Sequence, residues 1–251
     1  MSFKVIIPAR FASTRLPGKM LAEIGGMTMI EQVVARANES HAAEVIVATD
    51  DQRIAQALDG SACRVCMTRK DHQSGSDRLT EVVEQLSMAD TEVVVNVQGD
   101  EPLLPGVLID DVVQALINDA DTQMSTAAHA VKSYEDYQNP NAVKVVINQA
   151  GRAMYFSRAS IPAQFGADSH SQALPTGLAW HHLGIYAYRA AFLKNYHALP
   201  SSALEQCESL EQLRVLDNGG LIAVHTTDLE VGFGVDTPED LERARAIFAK
   251  G

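Results

Sequence analysis

The sequence predicts an α/β fold built on a largely parallel sheet covered by helices on both faces. Short, nearly continuous apolar runs at residues 5–7, 44–49, 64–67 and 93–97 have strand length, and the segments between them repeat their apolar residues at helical spacing. A strand that is apolar on both faces belongs in a sheet covered on both sides, with helical crossovers joining parallel neighbours. From about residue 141 the pattern changes to strand–turn–strand, so the sheet is expected to be mixed. An antiparallel portion is expected around 140–190, within one domain spanning 1–251.

Each element has its own signal. The run 5–7 gives way at Pro8. Met29, Ile30, Val33, Val34 and Ala37 form a helical stripe, with Thr28 as N-cap and Glu31 three residues on to complete a capping box. Leu79, Val82, Val83 and Leu86 form a second stripe after Asp77. AVKVVIN and RAMYFSR read as strands joined by a turn at 148–151. Residues 163–179 lack periodicity and read as a loop. In LGIYAYR, Ile185 and Ala187 alternate with Tyr186 and Tyr188, the pattern of a strand with two different faces. Helices are expected at 190–196 and 205–216, a strand at 221–225, and a last helix that starts at Pro238 behind Thr237.

Charge and cysteine content narrow the function. The chain has 251 residues and a formal net charge of −12, which disfavours broad binding to nucleic acid or to an anionic membrane. No apolar stretch has the length of a membrane span, and Pro8 and Arg10 interrupt the N-terminal run before a signal peptide can form. Three cysteines make no disulfide framework, so the cytoplasm is the expected compartment. Cys63 and Cys66 sit three apart in a strand-like segment and point to opposite faces, as core residues do.

Against that acidic background, the first 22 residues hold four cations and no acid. Arg10, Arg15 and Lys19 follow the first strand, at the edge where α/β sheets bind ligands. The loop is either a solvated basic turn or a cradle for phosphate, to which arginine brings a planar fork and lysine a point charge. It matches neither the P-loop nor the dinucleotide glycine pattern. In VVVNVQGDEPL a buried strand ends at Gly99, placing Asp100 on the same edge, as a turn residue or as a ligand for Mg²⁺ beside a phosphate. Glu101, before Pro102, reads as turn or cap chemistry. Asp236 precedes the last helix and is either its cap or a second metal ligand. Ser74 and Arg78 open a helix, where a cation opposes the dipole and a purely structural role fits less well. His182 reads first as a satisfied histidine.

IIPARFASTRLPGK, CMTRKDHQSGSDRL, VVVNVQGDEPL, NPNAVKVV, YFSRASIP, HHLGIYAYR, LEQLRVL and GVDTPEDLE, in this order, resemble the 3-deoxy-manno-octulosonate cytidylyltransferase (CMP-Kdo synthetase) family of Gram-negative bacteria from residue 3 to about 247. The resemblance implies a Rossmann-like doubly wound mixed sheet of the nucleotide-diphospho-sugar transferase type, with an inserted dimerisation portion and a homodimer. It implies cytidylyl transfer from CTP to Kdo, for lipopolysaccharide assembly. The nearest alternatives are the same transfer to the 8-amino analogue or to a sialic acid, or a silent nucleotide-binding relative. On the nucleotide side it implies Pro8, Ala9, Arg10, Lys19, Ser74, Arg78 and Gln98, with Arg15 close by. It implies Mg²⁺ on Asp100 and Asp236, and sugar contacts from Arg158, His182, Tyr186, Glu211 and Gln212. Arg10, Arg15, Lys19, Asp100 and Asp236 would carry catalysis. The sequence departs from the family at Phe233, where a small polar residue is expected, and residues 163–179 carry no family motif.

Overall fold

The computed structural model describes residues 2–13, 15–72, 74–166 and 173–249. β1 (Phe3–Ala9) is followed by a small hairpin, β2 (Glu23–Ile24) and β3 (Met27–Thr28), then α1 (Met29–Ala37) and β4 (Glu44–Thr49). Next come α2 (Gln52–Ala57), β5 (Arg64–Met67), α3 (Gly75–Gln85), β6 (Val93–Asn96), α4 (Gly106–Asn118), β7 (Met124–Ala130) and α5 (Tyr134–Gln138). The hairpin β8 (Lys144–Ile147) and β9 (Ala153–Ser157) precedes a long β10 (Trp180–Arg189). α6 (Ala190–Tyr196), α7 (Ala203–Glu208), α8 (Gln212–Asp217), β11 (Ile222–Thr227) and α9 (Pro238–Phe248) complete the order.

The main sheet runs β11-β7-β10-β6-β1-β4-β5, with β8 and β9 attached through β10. β1 pairs in parallel with β4 and β6, β4 with β5, and β7 with β11; β10 alone on this path runs antiparallel, between β6 and β7. The chain winds outward from β1 through β4 to β5, then crosses back to lay β6 on the other side of β1. This reversal is the switch point at which such sheets open a crevice beyond their carboxyl ends.

Two apolar clusters cover the two faces, and the strand period assigns residues to them. Val5, Ile7, Val95, Ile185 and Ala187 belong to one cluster; Ile6, Val94 and Tyr188 belong to the other. Cys63 packs on the first and Cys66 lies in the second, as the reading of their spacing expects. The capping box at α1 forms: Thr28 accepts from Glu31 N, and Thr28 N donates to Glu31 Oε2 at 2.7 Å. The turn at 148–151 also forms, with Gly151 at φ +74° and its N–H donating to Asn148 O at 3.0 Å.

Three features differ from the sequence reading. The helix expected at 205–216 is two, α7 and α8, broken where Ser209 adopts a left-handed φ of 52°. Its helical periodicity continues through the break; what divides it is the packing of Ser209–Glu211 against the rest of the site. β10 starts at Trp180, earlier than expected, and changes register between Leu183 and Tyr186. α4, β7, α5 and the β2–β3 hairpin are additional elements. β7 (MSTAAHA) is buried through Ala128 yet built of small and polar residues with weak strand signal. Of the loop expected at 163–179, residues 163–166 and 173–179 hold neither helix nor strand, and 167–172 lie outside the described residues. Among the described residues no helix is long and apolar enough to cross a membrane.

Candidate active site

A cleft of about 650 Å³ opens beyond the carboxyl ends of β1 and β6, at the switch point. Its first wall is the basic loop, including Pro8, Arg10, Arg15 and Lys19. Its floor runs from Asn96 through Gln98 and Gly99 to Asp100, and Asp236 enters from the turn before α9. Ser74, Ser76 and Arg78 come from the start of α3. The far wall holds Gly184, Tyr186 and Tyr188 of β10, with Tyr196 and residues 209–212.

Close backbone packing builds the floor. A Cβ on Gly99 would lie 2.9 Å from Pro8 O and 3.0 Å from Met20 Sδ, so only glycine lets the end of β6 approach the end of β1 this closely. Asp100 follows immediately. Thr237, not Asp236, caps α9: its hydroxyl accepts from Asp240 N, and Asp240 closes a capping box. The Asp236 carboxylate is therefore not the cap and lines the cleft.

The acids and the basic loop meet directly. Lys19 Nζ donates to Asp100 Oδ2, and to Asp236 Oδ1 at 3.0 Å; Arg15 Nη2 lies 3.0 Å from Asp236 Oδ2. Burial opposes the Lys19 charge, but the two carboxylates outweigh it and hold the pKa above that of a free lysine. Glu101 turns the chain behind them, and burial together with Asp100 and Asp236 pushes its carboxyl up to about 8. Asp100 and Asp236 thus converge on one cationic point with hard oxygen donors, the chemistry that suits Mg²⁺ held by two carboxylates and substrate phosphates. Among the described residues no group of three or more His, Cys, Asp or Glu gathers as a self-sufficient metal cage.

The remaining candidates divide. Ser74 caps α3 by accepting from Asp77 N at 3.1 Å, and it also lines the cleft. Arg78 is 1% exposed and donates to Thr68 Oγ1, and to Asp50 Oδ2 at 3.0 Å. Asp50 therefore supplies the structural partner that the helix dipole denies this cation. Tyr186, Glu211 and Gln212 line the far wall. Glu211 accepts from Ser76 Oγ at 2.8 Å, and burial raises its pKa despite that bond.

Three expected site residues stand back from the cleft. Ala9 is fully buried in the core. His182 packs edge-on to Phe156, contacts Thr126 Oγ1 at 2.9 Å, and meets the cleft only through Tyr186, whose ring centroid is 5.4 Å away. Burial and His181 pull its pKa down to about 3, so it is neutral. Arg158 is engaged with backbone, donating to Glu208 O at 2.7 Å and Pro140 O at 3.0 Å. Phe233 packs against a small cluster that includes Val235 and Leu241, and the Arg243 guanidinium lies 3.9 Å from its ring centroid. The departure at this position is absorbed by packing on α9. Asn96, Ser76, Tyr188 and Tyr196 line the cleft without having been expected there. For Asn96 a signal existed: an amide inside the apolar run VVVNV is a buried polar group in need of a partner.

The cytidylyltransferase family model matches residues 4–225. This chain belongs to the cytidylyltransferase family. Within it, the chain is 52% identical over 254 residues to a 3-deoxy-manno-octulosonate cytidylyltransferase of Idiomarina loihiensis, covering 100% of both chains. It is 51% identical over 247 residues to the enzyme of that name from Alcanivorax borkumensis, covering 98% of each. The structure of a CMP:2-keto-3-deoxy-manno-octonic acid synthetase complexed with CTP superposes with a TM-score of 0.91 at 41% identity, over 100% of this cytidylyltransferase chain and 99% of that one. The mixed doubly wound sheet is therefore a nucleotidyltransferase fold.

Proposed function

We propose that the chain transfers the cytidylyl group of CTP to the 2-hydroxyl of 3-deoxy-D-manno-octulosonate, releasing pyrophosphate and activating the sugar acid for lipopolysaccharide assembly. The observation that carries this reading is the convergence of Lys19, Arg15, Asp100 and Asp236 at the switch-point cleft, in a chain whose full-length relatives bear that enzyme name. The hydroxyl oxygen gives up its proton to solvent and forms a bond to the α-phosphorus, while the bond from that phosphorus to the bridging oxygen breaks and its electron pair leaves with pyrophosphate. Both reactants are anions. Arg10, Arg15 and Lys19 hold the triphosphate, and Gln98, Ser74 and Arg78 border the nucleoside. Mg²⁺, held by Asp100 and Asp236, supplies the rest of the charge compensation when bound. Positioning and electrostatics account for most of the rate, as in phosphoryl transfer generally.

For Lys19 the proposal requires an exchange of partners. In the free protein it pairs with both acids, and the triphosphate must draw it away from them. The far wall, with Tyr186, Glu211 and Gln212, receives the sugar acid; His182 and Arg158 support that wall from behind. A homodimer through the antiparallel portion belongs to the same proposal, and Met154, Phe165 and Leu178 of that portion are exposed apolar side chains. A cytoplasmic setting fits the three free thiols.

The test is pyrophosphate release from CTP with three acids side by side: Kdo, its 8-amino analogue and a sialic acid. The proposal expects the highest kcat/KM with Kdo. A preference for either rival reassigns the substrate, and silence with all three removes the activity.

A further inference from the structure

Asn96 is the last residue of β6 and lies on the cleft floor, four positions before Asp100 along the chain. It is 3% exposed, and its Oδ1 has no hydrogen-bond partner. Gln212, across the cleft, is 5% exposed and its Nε2 is likewise unpartnered. These are the two buried side-chain polar atoms found without a partner among the described residues. Both belong to side chains that line the same cleft.

Backbone register places Asn96 at one end of that cleft. It pairs with Ile6 in β1 and, antiparallel, with Tyr186 in β10. Directly opposed residues in an antiparallel pair share a face, so Asn96 and Tyr186 stand side by side where the floor meets the far wall. The same face carries Tyr188 and, above it, Tyr196 and Leu210. No cationic side chain bonds to the Asn96 oxygen, and the phosphate-binding cations lie at the other end, beyond Gly99. A neutral acceptor and a neutral donor, both buried and both unused, suit a ligand whose groups both donate and accept. Hydroxyls do this, and a polyhydroxylated sugar acid presents several.

We infer that Asn96 is a specificity-determining residue for the sugar acid, its side-chain amide taking a hydrogen bond from a substrate hydroxyl against the Tyr186 wall. The inference rests on the proposed transfer to a sugar acid and adds to it a contact on the floor of the site. It has a consequence for the free protein. An unpartnered buried amide oxygen destabilises the unliganded fold, so an apolar residue of similar size is tolerated there and binding offsets the difference.

The experiment compares wild type with Asn96→Leu and Asn96→Ala by steady-state pyrophosphate release and by thermal unfolding with each substrate alone. The expected result for Asn96→Leu is a rise of about 10- to 100-fold in KM for Kdo with KM for CTP within about twofold, the loss of one hydrogen bond to a buried group. Its unfolding temperature without ligand should equal or exceed wild type, while stabilisation by Kdo is lost and stabilisation by CTP is kept. Asn96→Ala should show the same KM split with lower stability, from the cavity it leaves. An unchanged KM for Kdo, or equal rises for Kdo and CTP, overturns the inference. So does loss of CTP-induced stabilisation in both variants, which makes the residue structural. A wild type that releases no pyrophosphate with Kdo fails at the earlier step, and overturns the proposed function rather than this contact alone.

Discussion

The two ends of the cleft keep their polar groups in opposite states. At the strand-end side the two acids are paired with cations: Lys19 bridges Asp100 and Asp236, and Arg15 takes the remaining oxygen of Asp236. At the β10 side two neutral amide atoms are buried and unpartnered, Asn96 Oδ1 and Gln212 Nε2, beside the Glu211 carboxyl, whose pKa burial raises. Solvent access explains the difference. Arg15 and Asp236 have side chains 65% and 40% exposed, so their ions can trade partners with a triphosphate at small cost. The Asn96 side chain is 3% exposed, so its unpartnered oxygen is shielded from solvent and carries a desolvation cost in the free protein. The charged end is suited to capture an anion, the neutral end to discriminate among polyols.

The largest break in this comparison is expected from Asp100→Asn. Loss of one carboxylate should lower pyrophosphate release on the order of 10²–10³-fold while circular dichroism stays native. Near-full turnover at saturating Mg²⁺ would remove Asp100 from the metal site. Next is Lys19→Ala, which should weaken CTP binding by about tenfold or more and CMP binding far less, because only the triphosphate reaches that cation. Equal losses in a calorimetric titration of both nucleotides would place the lysine wrongly.

Gly99→Ala probes the seam between the two ends. The new methyl must fit against Pro8 O and Met20 Sδ, so denaturant unfolding should show a loss of about 1–3 kcal/mol, with activity falling as Asp100 shifts. An unchanged unfolding midpoint would mean that the strand ends are not in close contact. The gentlest probe is pH. His181 and His182 have pKa values lowered to about 4 and about 3 by burial, from an ordinary 6.5. Both are held neutral by the fold, so the unfolded chain binds more protons between those values. Stability is therefore complete above about pH 6.5 and is lost as pH falls toward 3, by at most about 1.4 kcal/mol per unit for each imidazole. His182→Gln should flatten part of this limb in unfolding curves taken between pH 7 and pH 4. A limb unchanged by the substitution would show that His182 already carries a proton in the folded state.

The same division governs what the sequence made legible. The charged end is local: Arg10, Arg15 and Lys19 fall within ten residues, and Asp100 and Asp236 each sit at a recognisable strand end or helix start. Even there, the choice between cap and ligand for Asp236 needed the hydroxyl of Thr237 in place. The alternation of Ile185 and Ala187 with Tyr186 and Tyr188 predicted two faces correctly, and the structure puts them in opposite clusters. The neutral wall is not local. It depends on the register change in β10 near Gly184 and on the left-handed Ser209 that splits α7 from α8. Neither breaks the hydrophobic periodicity, so neither shows in a sequence pattern. His182 and Arg158 sit in segments that resemble the family, yet their side chains turn to Thr126 and to backbone carbonyls behind the wall. Sequence position brought them near the site; packing decided which side of the wall they face.

The most direct measurement of the central claim is pyrophosphate release with Kdo and each of CTP, UTP and ATP, with the product identified by mass. The account predicts release with CTP, CMP-Kdo as product, and far lower rates with UTP and ATP. Comparable rates with all three nucleotides, or release without a cytidylylated sugar acid, would contradict it.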